Sequence, residues 1–151
     1  MSIVQLLDAR EGAWEFRVAG GDEWLPASVP GCVHTDLMAA GAILDPFVAD
    51  NELAVQWVAR KDWDYRRSFE CVPGLLESGT PIELVCAGLD TLATIYVNGR
   101  EVGSGDNMFR TWRFDVTQAL RPGVNELRVL FASAVEWCAA RAAERELPQS
   151  N

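Results

Sequence analysis

The chain has 151 residues, of which 49% are hydrophobic and 23% are charged, and its formal net charge is −9. Such a length and composition are typical of one globular domain. An acidic surface repels phosphate backbones, so no nucleic-acid partner is expected, and no apolar run reaches the roughly 20 residues of a membrane-spanning helix, so no membrane partner is expected either.

The first part of the chain predicts a strand, an edge segment and a short helix. Residues 14–18 alternate apolar and polar side chains, which is the two-residue period of a strand. Residues 24–29 predict a short extended piece at a sheet edge, because proline cannot donate to a strand ladder. Residues 34–40 predict a helix that Gly41 closes in the left-handed conformation.

A polar segment at residues 45–52 is the candidate functional edge of the domain. Its proline and polar residues predict a loop bracketed by strands. Because binding residues are commonly placed on loops of a rigid scaffold, Asp50, Asn51 and Glu52 are the candidate site residues. An alternative left open is that Asp50 and Asn51 cap nearby backbone groups, as these residue types do in turns.

Two further strands are predicted in the middle of the chain. Residues 62–69 place their aromatic side chains on one side, and Asp62 and Asp64 alternate with them. The carboxylates of these two residues are therefore expected to face water or neighbouring basic side chains. Residues 82–86 predict the next strand, which is expected to pair with the hairpin that follows it.

That hairpin is the clearest local signal in the sequence. Residues 92–97 predict a strand, and Asn98 and Gly99 tolerate the positive φ angles that a tight hairpin turn requires. A return strand is predicted over residues 100–102. The chain is then expected to loosen over residues 103–107, where two glycines occur among polar residues.

Strands at residues 112–116 and 127–131 bring the predicted total to about eight short strands, a number typical of a sandwich. The predicted fold class is therefore all-β, an antiparallel β-sandwich. The residues predicted to be mainly buried are Trp14, Phe16, Trp63, Tyr65, Phe69, Ile95, Val97, Trp112, Phe114, Leu127, Val129 and Phe131.

The pattern changes at residue 133, which divides a sandwich domain at residues 1–132 from a helical tail at residues 133–151. Ser133 and Glu136 have the spacing of a capping box, and strong helix formers follow. Val135, Cys138 and Ala142 fall on one helical face and predict an apolar stripe that another surface covers.

Metal and redox chemistry are not predicted. The four cysteines are widely spaced and predict reduced thiols, and the single histidine, His34, excludes a multi-histidine metal site. No metal site and no cofactor are assigned. The first residues lack the basic region and cleavage site of a signal peptide, which, with the cysteine pattern, favours a cytoplasmic location.

Three of the six tryptophans lie outside the predicted inward strand positions. Trp24, Trp57 and Trp137 are placed at an edge, in a loop and in the terminal helix. An exposed aromatic ring either marks an interface with a neighbouring domain or stacks on a sugar ring. Interface is the favoured interpretation, and sugar stacking remains the alternative.

Three motifs in order carry a family resemblance. They are V-N-G-x-x-V-G at residues 97–103, N-M-F-x-x-W-x-F-D-V-T at residues 107–117 and L-x-P-G-x-N-E-L-x-V at residues 120–129. This set resembles the N-terminal sugar-binding domain, a galactose-binding-like jelly roll, of family 2 glycoside hydrolases. V-P-G-C-V-H at residues 29–34 and D-P-F-V-A-D-N-E at residues 45–52 resemble the β-mannosidases within that family.

The resemblance implies a non-catalytic domain that packs on the (β/α)₈ catalytic barrel of the same polypeptide. That barrel carries both catalytic glutamates and needs far more residues than this chain has, so no catalytic residue is assigned. It also implies a carbohydrate substrate, a terminal β-mannoside, with residues 45–52 at the pocket edge. The alternatives are the same domain of a β-galactosidase, β-glucuronidase or exo-glucosaminidase, or a free-standing carbohydrate-binding module.

Overall fold

The structure, a computed structural model, describes residues 3–8, 14–77 and 79–144. These residues form a larger antiparallel sheet, with strand order β2-β1-β3-β8-β5-β6, and a smaller one, β4-β7. The strands are β1 (Trp14–Val18), β2 (Leu25–Ala27), β3 (Trp63–Glu70), β4 (Glu83–Cys86), β5 (Leu92–Val97), β6 (Arg100–Gly105), β7 (Trp112–Asp115) and β8 (Val124–Ala132). The helices are α1 (Val33–Ala39), α2 (Asn51–Ala54), a 3₁₀ helix (Val58–Arg60) and α3 (Ala134–Glu144). The predicted antiparallel β-sandwich is confirmed.

The core lies on the inner face of the larger sheet, where alternate residues of each strand are buried. Phe16 is fully buried, and its ring centroid lies 5.8 Å from that of Trp63 and 5.7 Å from that of Tyr65. Most of the predicted core is buried in this way. Three predicted members, Phe69, Trp112 and Phe131, are half-buried and pack against the rest.

Helix α1 is fixed to this core by a buried carboxylate. It spans Val33–Ala39, and Gly41 follows it with a φ of 70°, as predicted. The Asp36 carboxylate accepts a hydrogen bond from the Ser28 N–H at 2.9 Å and another from the Tyr65 hydroxyl at 2.8 Å. Burial, together with the Asp36 carboxylate, raises the pKa of Tyr65 far above its ordinary value. The phenol therefore stays a hydrogen-bond donor to Asp36.

The predicted hairpin turn is confirmed, but its return strand is longer than expected. Asn98 and Gly99 have φ angles of 52° and 78°, as a tight turn between two strands requires. Strand β6 then continues through Gly105 and stays paired with β5, with a register shift between Ile95 and Tyr96. The prediction that the chain loosens over residues 103–107 is therefore wrong for residues 103–105.

The glycines of β6 provide space for aromatic rings of β7. A side chain at Gly103 would clash with the Phe114 ring, and a Cβ at Gly105 would lie 2.9 Å from the Trp112 ring. The backbone and these rings approach closely because the two sheets pack face to face at this point. The glycines thus belong to a packed strand and not to a loop.

Strand β4 pairs with β7 in the smaller sheet, and the expectation that it pairs with the hairpin is wrong. Leu84 lies opposite Phe114 in the register, and both side chains face the core cluster. Beyond the strand, the Ile82 N–H donates to Thr117 Oγ1 at 2.8 Å. Pairing with β7 places the apolar side chains of β4 over the larger sheet, which completes the second layer of the sandwich.

Strand register defines two ends of the sandwich. Trp63 at the start of β3 lies opposite Phe131, and Leu92 at the start of β5 lies opposite Ala132 at the end of β8. The 3₁₀ helix and α3 adjoin these strand termini, so we call this the helical end. The opposite end carries the hairpin turn between β5 and β6, and we call it the turn end.

Two asparagines form hydrogen bonds that connect the turns at the turn end. Asn98 Nδ2 donates to Asn125 Oδ1 at 2.8 Å, and Asn98 Oδ1 accepts from the Glu126 N–H at 3.0 Å. Asn125 Oδ1 also accepts from the Arg121 N–H at 2.9 Å, while its Nδ2 donates to the carbonyls of Arg121 and Gly123 at 2.8 and 2.9 Å. These bonds tie the hairpin turn to the turn that precedes β8.

The outer face of the larger sheet contains a buried carboxylate that the sequence did not predict. Asp64 is buried and forms ion pairs with Arg128 at 2.8 Å and Arg17 at 3.4 Å. The expectation that its carboxylate faces water or the basic residues beside it in the sequence is wrong. Asp62 accepts a hydrogen bond from the Ser133 N–H at 2.7 Å, which joins the start of β3 to the start of α3.

Helix α3 begins at the predicted cap and lies against the 3₁₀ helix. Ser133 Oγ accepts from the Glu136 N–H at 3.1 Å and donates to the Ala59 carbonyl at 2.6 Å. An ion pair of 2.9 Å joins Arg60 to Glu136. The side chains of residues 134–142 are all exposed. Neither α3 nor any other helix of the described residues is long and apolar enough to cross a membrane.

Candidate functional site

The candidate segment at residues 45–52 is a compact turn that leads into a helix. The Asp45 side chain accepts from the Phe47 N–H at 2.9 Å, and Asn51 Nδ2 donates to the Asp45 carbonyl at 2.9 Å. Asn51 begins α2, so the segment is not a loop throughout. Its neighbours are α1 and the 3₁₀ helix, so the prediction that strands bracket it is wrong.

The three candidate site residues have different surroundings. Asn51 is half-buried, and its amide group holds the turn together, which is the local capping role that was left open. Asp50 precedes α2 without a side-chain hydrogen bond to the helix, and it is exposed. Glu52 is also exposed. Asp50 and Glu52 therefore leave their carboxylates available to a ligand or a neighbouring domain.

A shallow pocket lies beside α2. Its volume is about 190 Å³, and its lining residues are Ala42, Ile43, Leu44, Asn51, Ala54, Val55 and Trp57. The Trp57 ring lies 6.0 Å from that of Trp63, which connects the pocket wall to the core. Because Asn51 is the one polar residue of this lining, the pocket suits an apolar group better than a polar one.

Five large apolar side chains are exposed along residues 44–57, the segment that lines this pocket with Leu44 and Trp57. The set comprises Leu44, Phe47, Val48, Leu53 and Trp57, and we call it the apolar face. Phe47 is 95% exposed, Leu53 is 69% exposed and Trp57 is 38% exposed. Large groups of exposed apolar side chains are rare on isolated globular domains and mark surfaces that bind another molecule. Sequence reasoning identified Trp57 but missed the other four.

The missed residues carried a weak signal in the sequence. Phe47 and Val48 are apolar residues inside a segment that is otherwise polar, and Leu53 follows directly after Glu52. Nothing in a strand or helix period demands an apolar side chain at these positions. A large apolar side chain that no periodic pattern explains is a sign of a binding surface.

The other two candidate tryptophans lie apart from the pocket, and their rings are already in contact with cations. Trp24 is half-buried, and two guanidinium groups lie 4.2 Å (Arg17) and 3.9 Å (Arg66) from its ring centroid. Trp137 is exposed on α3, and the Arg141 guanidinium lies 3.6 Å from its ring centroid. The Trp24 ring is thus already engaged in two cation–π contacts, which favours a structural role over sugar stacking.

The described residues offer little for metal or acid–base chemistry. They contain no group of three histidine, cysteine or acidic residues placed to hold a metal ion. The buried carboxylates of Asp36 and Asp64 are bound to Tyr65 and to two arginines, as described above. Burial raises the pKa of the Cys86 thiol to about 11, so this cysteine is a thiol at neutral pH.

Comparison with known proteins finds relatives that are much longer than this chain. Beta-mannosidase B of Thermothelomyces thermophilus is 43% identical over 124 residues, which are 80% of this chain and 14% of that protein. Beta-mannosidase of Bos taurus is 35% identical over 130 residues, which are 86% of this chain and 15% of that protein.

A solved structure of a longer β-mannosidase is also similar to this chain. The crystal structure of beta-D-mannosidase from Dictyoglomus thermophilum matches with a TM-score of 0.86 and 44% identity, over 93% of this chain and 17% of that one. This chain therefore spans less than a fifth of the length of these relatives. A family profile described as glycosyl hydrolase 2 galactose-binding domain-like matches residues 14–151. The chain belongs to this glycosyl hydrolase 2 galactose-binding domain-like family.

Proposed function

We propose that this chain is the non-catalytic N-terminal domain of a retaining glycosidase that hydrolyses terminal β-mannosides. In this proposal the sandwich at residues 1–132 packs on a catalytic barrel of the same polypeptide. Residues 133–151 lead to the rest of the enzyme. Helix α3 covers residues 134–144 of this predicted helical tail, and residues 145–151 lie outside the part of the chain that the structure describes. The β-mannosidase relatives support this proposal, because the matching domain is 14–17% of each of those longer proteins.

The apolar face is the observation that carries the proposal. Fully burying one Leu or Phe side chain is worth about 1.5–3 kcal/mol, and the face offers several such side chains. Association of two separate molecules costs several kcal/mol, but a covalent link to the barrel reduces this cost by raising the effective concentration. Burial of several of these side chains against the barrel therefore offsets much of the remaining cost of docking two linked domains.

The polar residues of the segment fit the edge of a sugar-binding pocket. Asp50 and Glu52 are exposed next to the apolar face, and carboxylates accept hydrogen bonds from sugar hydroxyl groups. Asn51 has a supporting role, since its amide group is bonded to the Asp45 carbonyl. The barrel would supply both catalytic carboxyl groups, which lie about 5–5.5 Å apart in retaining enzymes.

A domain exchange tests the proposal. This chain replaces the matching domain of the Dictyoglomus thermophilum beta-D-mannosidase, to which it is 44% identical. The chimera should hydrolyse an aryl β-mannoside, while the isolated 151-residue chain should not. Asp50→Ala and Asn51→Ala in the chimera should raise KM or lower kcat without unfolding the domain. A chimera that folds as two independent domains and has no activity would show that the chain does not dock on such a barrel.

The rival functions give different results. A free-standing carbohydrate-binding module would bind mannan or another polysaccharide as the isolated chain, and Trp57→Ala would abolish that binding. The other alternative is that the domain belongs to a β-galactosidase, β-glucuronidase or exo-glucosaminidase. It is tested by assaying the natural polypeptide that contains this chain on the aryl β-mannoside and on the aryl glycosides that these three enzymes hydrolyse. Preferred hydrolysis of any glycoside other than the β-mannoside would contradict the proposed substrate.

A further inference from the structure

A second exposed apolar group lies in the loop that joins β6 to β7. This loop, at residues 106–111, carries Met108 and Phe109, and the Phe109 side chain is 89% exposed. Its other residues are polar or charged. A single exposed apolar residue is ordinary on a protein surface. Two adjacent exposed apolar residues, Met108 and Phe109, in an otherwise polar loop raise the question of what they contact.

The loop is held in one shape by its own contacts. The Asn107 side chain accepts from the Phe109 N–H at 2.8 Å, and the Asn107 carbonyl accepts from Trp112 Nε1 at 3.0 Å. The Arg110 guanidinium lies 4.4 Å from the centroid of the Trp112 ring. Trp112 in turn packs against the core. A loop that is already ordered loses little conformational entropy when a partner binds it.

Strand polarity places this loop at the helical end. Ala93 lies opposite Gly105, and Leu92, the preceding residue, lies opposite Ala132 at the end of β8. The loop that follows Gly105 therefore lies at the same end of the sandwich as the 3₁₀ helix that follows Trp57. Val135 and Trp137, both exposed, lie on α3 at that end too. The opposite end is closed by the polar pair Asn98 and Asn125.

We infer that the Met108–Phe109 loop is a second anchor, which inserts into an apolar cleft of the same catalytic barrel that the apolar face contacts. This inference rests on the proposed function, because it requires the domain to pack on a barrel. Two features identify the barrel as the occupant. The loop lies at the same end of the sandwich as the 3₁₀ helix that follows Trp57, a member of the apolar face. The relatives are more than five times longer than this chain.

The structure also separates an anchoring role from a role in folding. Since the Phe109 side chain is almost fully exposed, its replacement removes little buried surface from the isolated chain. Phe109→Ser should therefore leave the urea midpoint of the isolated chain unchanged. The matched control is Val124→Ser, which replaces another exposed apolar side chain, at the turn end.

The test uses the same chimera with the Dictyoglomus thermophilum enzyme. Phe109→Ser should make the thermal inactivation of the chimera about tenfold faster, the effect of losing one interface anchor. Val124→Ser should have no such effect. Hydrogen exchange in residues 106–111 should also be slower in the chimera than in the isolated chain.

The outcomes for the two proposals are distinct. Phe47→Ser tests the apolar face, because Phe47 is 95% exposed and its replacement removes little buried surface from the isolated chain. If Phe47→Ser speeds inactivation but Phe109→Ser behaves like Val124→Ser, the domain docks without this loop and the second anchor is refuted alone. If neither Phe47→Ser nor Phe109→Ser has an effect, the docking of both surfaces on the barrel is refuted as a whole. A changed urea midpoint in isolated Phe109→Ser would assign the residue a role in folding and refute the anchor.

Discussion

Replacing Asn125 by Asp tests whether one amide group holds the turn end together. Asn125 is 0% exposed, and its Nδ2 donates to the carbonyls of Arg121 and Gly123 at 2.8 and 2.9 Å. Its Oδ1 accepts from Asn98 Nδ2 at 2.8 Å and from the Arg121 N–H at 2.9 Å. Aspartate has nearly the same size, but it places a second oxygen where the amide donor stood.

The expected cost follows from these contacts. The carbonyls of Arg121 and Gly123 lose their donor, and the oxygen that replaces the amide lies in the buried Asn125 position without a hydrogen-bond donor of its own. Leaving a buried polar group unsatisfied costs about 1–3 kcal/mol. An ionised carboxylate would also face both carbonyl oxygens without a cation to balance it. We expect Asn125→Asp to lower the free energy of unfolding by about 3–5 kcal/mol at neutral pH. This is a large fraction of the roughly 5–15 kcal/mol that stabilises an ordinary domain.

The loss should depend on pH in a defined direction. Burial beside two carbonyls raises the pKa of the new carboxyl in the folded chain above its ordinary value of about 3.9. The folded chain then binds a proton that the unfolded chain releases, so the variant loses stability as the pH rises above about 4. The loss stops growing once the pH exceeds the raised pKa of the folded form.

The test is urea unfolding of the variant and of the unsubstituted chain, monitored by tryptophan fluorescence from pH 4 to pH 8. It measures the difference between their free energies of unfolding at each pH. Asn125→Ala is the control, because it removes the same hydrogen bonds but adds no titrating group. The free energy of unfolding that it loses relative to the unsubstituted chain should therefore not depend on pH because of this residue. A loss below about 1 kcal/mol for Asn125→Asp at pH 7, or a loss that does not change with pH, would refute the reasoning.

Two further predictions concern the core. Tyr65→Phe removes the hydroxyl group that donates to the buried Asp36 carboxylate, so urea unfolding should show a loss of about 1–3 kcal/mol. The folded-state pKa of Tyr65 is raised above the ordinary 10.0, so the stability that its hydroxyl group contributes is complete below pH 10 and is lost as the pH rises further. Tyr65→Phe should lack this alkaline loss of stability. Gly105→Ala places a Cβ 2.9 Å from the Trp112 ring and should cost about 1–3 kcal/mol in the same assay, whereas an unchanged urea midpoint would mean that the ring moves freely.

The sequence alone determined the features that depend on near neighbours. Alternating side chains predicted most strands, and Asn98 with Gly99 predicted the hairpin turn, because positive φ angles are a local requirement. The helix before Gly41 and the cap at Ser133 were likewise readable from short spacings. The order of the motifs also predicted the family that the comparison confirmed.

Only the tertiary structure decided the features that depend on residues far apart in the chain. The partner of β4 depends on where β7 lies, and the length of β6 depends on rings that pack over Gly103 and Gly105. Asp64 was expected to face water or the basic residues beside it in the sequence, because an acidic residue is usually exposed. It is buried because Arg17 and Arg128, from other strands, lie beside it.

The candidate site divides in the same way. The polar residues of the 45–52 segment were visible in the sequence, because proline, aspartate and asparagine have local turn preferences. Apart from Trp57, the apolar face and the exposed Phe109 were not predicted, because the sequence does not directly show whether an apolar side chain is buried or exposed. Exposure is a property of the folded chain, and strand polarity places the loop that carries Phe109 at the same end of the sandwich as the 3₁₀ helix that follows Trp57.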